Sequence, residues 1–241
     1  MWLVTVDMRL FKATGMQLTT TIPDVTRSAV VARPDGDLHF SETFAGLGDM
    51  SLIAWHRRVI RGWNATFNGG TSLPTGRTER PRFSAELEGD SLVPVSRLQR
   101  GTGTFDPLFG VTVNRAYSQL LPPGTRLFAS AAVRAPVAEN EYRLRTGASP
   151  EIAFGASRES FWHQLVLIAR LSWLHRAQDV FAGVPVLVGG GDWIYISPGA
   201  AVTLRKFTVQ TEFKFPVRRS LANRQLDSPR SFQIGAIWAL F

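Results

Sequence analysis

Hydrophobic and polar residues alternate almost without interruption between Lys206 and Val217. A period of two is typical of a β-strand with two unlike faces. One face of this strand is polar and charged, so it contacts water, whereas the other is large and aromatic and must be covered. A second sheet would cover it in a soluble sandwich, and lipid would cover it in an outer-membrane barrel. The apolar set is Phe207, Val209, Thr211, Phe213, Phe215 and Val217, and the polar set is Lys206, Thr208, Gln210, Glu212 and Lys214.

Similar short segments bounded by Gly, Pro, Asn or Asp recur along the whole chain, whereas helical periodicity is scarce. The pattern predicts an all-β protein with a single domain, residues 1–241. A polar loop is expected up to Gly48, and charged or Gly-rich loops are expected at 139–146 and before Asp192. The eleven predicted strands are 2–13, 16–22, 50–57, 63–73, 105–115, 126–135, 151–157, 164–175, 193–204, 206–217 and 231–241.

The connections between these strands alternate between short and long. Outer-membrane barrels follow this rule because their periplasmic turns are tight and their outer loops are long, and a soluble sandwich has no reason to follow it. The terminal Phe241 resembles the aromatic residue that barrel-insertion machinery recognises. The sequence therefore predicts a transmembrane antiparallel up-and-down β-barrel.

The start of the chain is unusual for such a barrel. Counting back from the last strand, segment 2–13 begins on the outer side, although bacterial barrels have an even number of strands. Residues 1–6 are too short for the core of a signal peptide, and Asp7 and Arg9 interrupt the apolar run. We expect a parent of about twelve strands whose signal and first strand are absent here. The alternative is that segment 2–13 is not a wall strand and that ten strands remain.

Composition excludes several classes of protein. The chain has 241 residues, no cysteine and a formal net charge of +8. Without cysteine there is no disulfide scaffold and no thiolate metal site, and no apolar run approaches the roughly 18 residues of a membrane-spanning helix. The basic excess lacks any nucleic-acid-binding motif, so it indicates a basic pore lining or a solvated surface.

Five phrases, in this order and spacing, resemble the bacterial outer-membrane β-barrel family linked to transport in the meta-pathway of phenol degradation. The resemblance covers about residues 16–241 and implies passage of aromatic compounds, with no catalytic residues and no cofactor. The chain departs from the family at its start, where it lacks a signal peptide. The phrases are Gly46-Leu47-Gly48-Asp49, Leu73-Pro74-Thr75-Gly76-Arg77-Thr78, Gly101-Thr102-Gly103-Thr104-Phe105-Asp106-Pro107, Gly190-Gly191-Asp192-Trp193-Ile194-Tyr195-Ile196-Ser197-Pro198-Gly199 and Gln225-Leu226-Asp227-Ser228.

Strand parity predicts which polar residues face the interior. Paired Arg and Glu side chains there would cross-brace a narrow barrel. Alternatively, Arg126, Arg134, Arg170 and Lys214 would form an electropositive ladder for anionic solutes, aromatic carboxylates included. The pore-lining candidates are Arg126, Ser130, Arg134, Glu151, Gln164, Arg170, Thr208, Gln210, Glu212 and Lys214.

Acidic and aromatic residues mark the predicted rims. Asp49, Asp106 and Asp192 each follow or enter a glycine-containing loop, where an Asp side chain can bond nearby backbone; they are expected to form rim turns, with an acidic ring at the pore mouth as the alternative. The aromatic residues are expected in interfacial girdles rather than in a stacking site for substrate. They are Trp63, Trp173, Trp193, Tyr195 and Trp238.

Catalytic chemistry has little support in the sequence. A lipase-type barrel needs a serine beside a histidine at the lipid boundary. His175 shares the apolar parity of its strand, but no serine pairs with it by sequence and no nucleophile-elbow motif is present. We expect no enzyme activity, no metal and no cofactor. The remaining histidines are His39, His56 and His163.

These observations predict a location in the outer membrane of a Gram-negative bacterium and a passive channel for small, aromatic or anionic solutes. The expected partners are outer-membrane lipid, lipopolysaccharide and the solute, with no nucleic acid. A barrel that acts as a scaffold for an envelope protein is the alternative. The basic segment with Arg218, Arg219, Arg224 and Arg230 fits either lipopolysaccharide phosphates or a protein partner.

Overall fold

The computed structural model describes residues 2–22, 24–31, 38–76, 78, 101–116, 121–160, 164–185, 190–221 and 231–239. The fold of these residues is built from β-strands. In chain order the strands are β1 (Trp2–Phe11), β2 (Thr14–Ile22), β3 (Asp24–Val31), β4 (Leu38–Ala45), β5 (Met50–Ile60), β6 (Trp63–Leu73), β7 (Asp106–Ala116), β8 (Thr125–Arg134), β9 (Leu144–Arg145), β10 (Ser149–Glu159), β11 (Leu165–Arg176), β12 (Val180–Phe181), β13 (Val184–Pro185), β14 (Gly191–Leu204), β15 (Phe207–Leu221) and β16 (Ser231–Ala239).

Eleven of these strands form one sheet, and they correspond to the eleven segments predicted from alternation. The ends differ by a few residues; for example, β5 continues to Ile60 and β15 to Leu221. Three expected loops contain strands of their own. The predicted polar loop before Gly48 holds the β3–β4 hairpin, and the loops beyond β8 and β11 supply β9, β12 and β13 to a small separate sheet.

The main sheet follows the order β1-β2-β5-β6-β7-β8-β10-β11-β14-β15-β16. Each of these neighbouring pairs is antiparallel. The two ends of this series also meet, but β1 pairs with β16 in parallel, from Trp2 opposite Ile234 to Asp7 opposite Ala239. The sheet is therefore not closed as an antiparallel barrel, and the prediction of an antiparallel up-and-down barrel needs this correction. The idea that segment 2–13 lies outside the wall is wrong, because β1 pairs on both sides.

The connections divide the sheet into two ends. At one end, which we call the turn end, tight connections such as Lys12–Ala13, Arg61–Gly62 and Arg205–Lys206 join successive strands. At the opposite end, the long-connection end, the chain makes its long excursions, including those that carry β3–β4, β9 and β12–β13. The predicted alternation of short and long connections is confirmed. Arg61 and Arg205 have positive φ values of 49° and 55°, as the first position of a tight hairpin turn requires.

The sheet has one apolar face and one polar face. On β15, Phe207, Phe213 and Phe215 are exposed, whereas Gln210 and Glu212 on the other parity are half-buried. The same division runs through the neighbouring strands, because cross-strand partners share a face. The sheet curls around its polar face, so that residues of β7 and of β16 line the same cavity. Other exposed members of the apolar face are Phe67, Phe109, Ile152, Phe154, Leu167, Leu171, Ile196, Val202 and Phe232.

Two glycines on the polar face make room for aromatic rings. A Cβ at Gly15 would lie 2.4 Å from the Trp55 ring, and one at Gly155 would lie 2.4 Å from the Phe128 ring. The Trp55 indole also donates a hydrogen bond to Asp7 at 2.9 Å. Ring-over-glycine packing of this kind compensates for the missing side chain in a strand.

Helices contribute nothing to a membrane span here: the described residues contain no helix that is long and apolar enough to cross one.

Candidate functional site

A cluster of polar side chains occupies the polar face at the long-connection end; we call Asp49, Ser72, Thr102, Asp106 and Arg134 the rim cluster. Arg134, the last residue of β8, donates from Nε to Asp106 Oδ2 at 2.8 Å. Its Nη2 donates to Thr102 Oγ1 at 3.2 Å and to Ser72 Oγ at 3.3 Å, and it lies 3.5 Å from Asp49 Oδ2. The Asp106 side chain is fully buried, so its charge depends on this guanidinium for compensation.

Asp49 ties the loop before β7 to the end of β6. Its carboxylate accepts hydrogen bonds from the backbone N–H groups of Gly76 at 3.1 Å and Thr102 at 2.8 Å. Gly101 fits beside it only because it lacks a side chain, since a Cβ there would lie 2.3 Å from Asp49 Oδ1 and 2.7 Å from the Gly76 carbonyl oxygen. Asp106 binds the same loop by accepting a bond from Thr104 Oγ1 at 2.6 Å.

The connection after β8 packs onto this loop. Asn140 donates from Nδ2 to the Thr102 carbonyl at 3.0 Å, and its Oδ1 accepts from the backbone N–H groups of Tyr142 and Leu144 at 3.0 Å. Leu144 is almost completely buried. Among the described residues, the connection after β8 is thus bonded to the loop before β7.

Arg170 holds two carboxylates at the middle of the polar face. It donates from Nη2 to Glu151 Oε1 at 2.6 Å, and its Nη1 lies 3.8 Å from Glu212 Oε2. The three residues come from β10, β11 and β15, so they link strands that are not all neighbours. All three side chains are about one quarter exposed. This arrangement is a cross-brace, because removing the cation would leave two carboxylates facing each other.

Trp193 and Tyr195 lie on the polar face, where they are buried. Tyr195 is opposite Ser172 of β11, which is also buried. The prediction that these two aromatic residues belong to an interfacial girdle was therefore wrong. The sequence W-I-Y-I of β14 is apolar on both parities, so alternation alone did not say which pair faces inward. Trp63 and Trp173 do lie on the apolar face with exposed rings.

A cavity of about 440 Å³ lies on the polar face between the Arg170 cross-brace and the turn end. Its wall combines hydroxyl, amide and apolar groups with two guanidinium groups, those of Arg126 and Arg170. The residues that line it include Thr112, Asn114, Phe128, Ser157, Ile168 and Gln210.

The structure places the other pore-lining candidates as follows. Ser130, Thr208, Gln210 and Lys214 share the polar parity of their strands, and Gln210 lines the cavity. The prediction that Gln164 lines the interior is wrong, because Gln164 lies in the turn before β11, outside the strand, and its side chain is exposed.

The expected electropositive ladder is contradicted by the pairing of its arginines. Arg134 is neutralised by Asp106, Arg170 by Glu151, and Arg126 lies 3.4 Å from Glu159. Sequence parity identified the cations correctly as facing inward. It could not supply their partners, which depend on the registers of four different strands.

The three rim aspartates do not form one ring. Asp49 and Asp106 bind loop groups, as expected for turn formers. Asp192 instead lies on the apolar face, where it accepts a hydrogen bond from Trp173 Nε1 at 3.1 Å and pairs with His175 Nδ1 at 3.0 Å. The interpretation of these residues as an acidic ring at a pore mouth is therefore wrong.

Several polar residues at the long-connection end were not predicted as site residues, including Ser72, Thr102, Thr104 and Asn140. The phrase Gly101-Thr102-Gly103-Thr104-Phe105-Asp106 could have indicated them. Its threonines alternate with two glycines, and glycine allows the backbone and hydroxyl groups to approach charged side chains closely. Other predicted residues lie outside the described residues: Arg224, Arg230, His163, Phe241 and the side chains of His39 and Trp238.

Neither a metal site nor a protein family can be assigned from the described residues and the comparisons with known proteins. Within the part of the chain that the structure describes, no three His, Asp or Glu side chains come together in a way that could hold a metal ion. His56 bonds Thr14 Oγ1 at 3.0 Å at the turn end, far along its strand from the rim cluster. Comparisons with protein-family models and with curated proteins gave no match.

Proposed function

We propose that this protein is a transmembrane β-barrel of the Gram-negative outer membrane that allows small solutes to pass along its polar interior. The observation that carries the proposal is the inverted polarity of the sheet. Phe109 and Phe154 on the apolar face are each 59% exposed, whereas Asp106 and Ser197 on the polar face are fully buried.

This distribution is the reverse of a water-soluble core. Soluble proteins place aliphatic and aromatic residues inside and rarely leave large apolar patches exposed. A band of exposed Phe, Leu and Ile side chains on strands whose other parity is polar fits contact with acyl chains. The tight turns at one end and long connections at the other support the same proposal.

The cavity supplies the candidate route for a solute. Its volume of about 440 Å³ falls within the range of roughly 300–1,000 Å³ found for small-molecule sites. Amide and hydroxyl groups can bind a polar head, while Phe128 and Ile168 offer apolar contact. Because the arginines are paired with carboxylates, selectivity for ions should be weak. Aromatic solutes, which the family resemblance implies, fit this combination of polar and apolar contacts.

The first test is solute flux through the refolded protein in lipid vesicles, with conductance in a planar bilayer alongside. Thr112→Trp should block the cavity and lower both rates severalfold. Val113→Trp, the neighbouring position on the apolar face of β7, is the matched control and should leave both rates unchanged. Equal rates for wild type and Thr112→Trp would contradict passage through this cavity.

A structural or partner-binding barrel is the second candidate. The bonded loops of the rim cluster and the Arg170 cross-brace favour it, because both tie strands and loops together across the interior. A protein that folds into vesicles, resists proteases there and yet passes neither ions nor small neutral solutes would support this scaffold role over transport.

A further inference from the structure

One junction of the main sheet differs from all the others. The ten junctions along the series from β1 to β16 are antiparallel, whereas β1 and β16 meet in parallel. The difference follows from the strand number, because eleven strands that alternate in direction place the first and last in the same direction. We call the β1–β16 junction the seam.

The seam is also shorter than the junction that β1 forms with β2. On its other side β1 pairs with β2 from Trp2 to Phe11, but the seam register ends at Asp7 opposite Ala239. Parallel pairing is slightly less stable per residue than antiparallel pairing. The seam is therefore the junction that is easiest to separate.

We propose that the seam opens to accept one extended segment of a separate polypeptide. This segment inserts between β1 and β16 as an additional strand. Such a segment, running opposite to β1 and β16, would replace one parallel junction with two antiparallel ones. Every junction of the resulting even-numbered ring could then be antiparallel, as in bacterial outer-membrane barrels.

The faces of β1 and β16 define the chemistry of this segment. Thr5 and Asp7 lie on the polar face of β1, where Thr5 bonds Thr19 at 3.2 Å and Asp7 accepts from Trp55. Gly235 is buried on the polar face of β16, and Phe232 is exposed on its apolar face. The segment must therefore alternate between apolar and polar residues over roughly the length of one strand. Its binding would be a case of strand addition at a sheet edge.

A peptide from this chain provides a suitable probe. Residues 207–215 alternate except at Thr211, and in β15 residues 207–214 already pair antiparallel with β16. A peptide of the same composition with the alternation scrambled is the control. The measurement is disulfide formation in the Thr5→Cys/Ile237→Cys variant, since these positions are opposite each other across the seam and the chain has no other cysteine.

The expected result in detergent micelles is a seam disulfide that forms without peptide and whose yield falls severalfold with the alternating peptide. The scrambled peptide should have no effect. In the control variant Thr5→Cys/Thr19→Cys, which spans the β1–β2 junction, the yield should be the same under all three conditions. Unchanged seam yield with saturating alternating peptide would overturn the proposal.

A second measurement covers the case in which the cysteine variants fail to fold. Fluorescently labelled alternating peptide should bind the wild-type protein saturably at one peptide per chain, and the scrambled peptide should not. Absence of saturable binding would also overturn the proposal. Neither measurement depends on solute flux, so their failure is distinguishable from failure of the transport function.

Discussion

The two ends of β8 carry the same kind of ion pair in opposite settings. Arg134, at the long-connection end, contacts a fully buried Asp106 and three further polar groups of the rim cluster, those of Asp49, Ser72 and Thr102. Arg126, at the turn end, lies 3.4 Å from Glu159, and both side chains are largely exposed. The ion pair at the long-connection end is therefore part of a buried network, whereas the pair beside the cavity is in contact with solvent.

The largest expected effect comes from breaking the rigid end. Arg134→Ala should lower the free energy of unfolding by about 3–5 kcal/mol, because it leaves the buried Asp106 carboxylate without its cation. Urea unfolding in detergent micelles, followed by tryptophan fluorescence, measures the change.

Arg126→Ala on the same strand is the matched control. Its pair is exposed to solvent, so its loss should cost less than about 1 kcal/mol. Equal losses in the two variants would mean that the two ends do not differ in the way the contacts indicate.

A smaller effect is expected from crowding the loop of the rim cluster. In Gly101→Ala the new methyl group would meet Asp49 Oδ1 and the Gly76 carbonyl oxygen, so the loop before β7 must move at a cost of about 1–3 kcal/mol. Amide hydrogen exchange should increase at Thr102, because the bond from its backbone N–H to Asp49 Oδ2 would lengthen.

Gly69→Ala is the control for the loss of a glycine. Its Cβ would meet only the Phe109 ring, at 4.0 Å, so stability and exchange should hardly change. Faster exchange at the rim cluster in this variant would show that the loop responds to any change in β6, and not to crowding beside Asp49.

The sequence predicts which face of the sheet these charged residues occupy, but it does not predict their partners. Alternation along β8 and β15 placed Arg126, Arg134 and Glu212 on the polar face, since parity is a local property of a strand. The partner of Arg134 was not predictable, because it lies 28 residues earlier and depends on the β7–β8 register. The loop contacts of Thr102 and Asn140 also need tertiary structure.

The sheet as a whole shows the same limit. Each of its strands could be recognised from its own sequence, but the parallel seam depends on the number of strands in the series. The β3–β4 hairpin was missed because its segments mix charged and apolar residues and lie within a stretch that is polar overall.

At the turn end, Phe128→Ala should separate stability from passage. The ring packs over its cross-strand partner Gly155 and borders the cavity. Its removal therefore enlarges the route while costing about 1 kcal/mol, the upper end for a cross-strand side-chain contact. This is well below the roughly 3–5 kcal/mol of a phenylalanine buried in a core. Solute flux in vesicles should rise, in contrast to Arg134→Ala, where the fold should weaken without a wider cavity. Flux that falls in Phe128→Ala would place the ring among the groups that bind the solute.

The smallest effect is expected on the apolar face, at the pair formed by His175 and Asp192. Both side chains are about 40–45% exposed, so His175→Ala should change the free energy of unfolding by less than about 1 kcal/mol and leave solute flux unchanged. Asp192→Ala should cost more than His175→Ala, because Asp192 also accepts the hydrogen bond of Trp173 Nε1. Urea unfolding of the two variants checks this order. A flux loss in His175→Ala would contradict the assignment of transport to the polar face alone, since this side chain lies on the opposite face of the sheet.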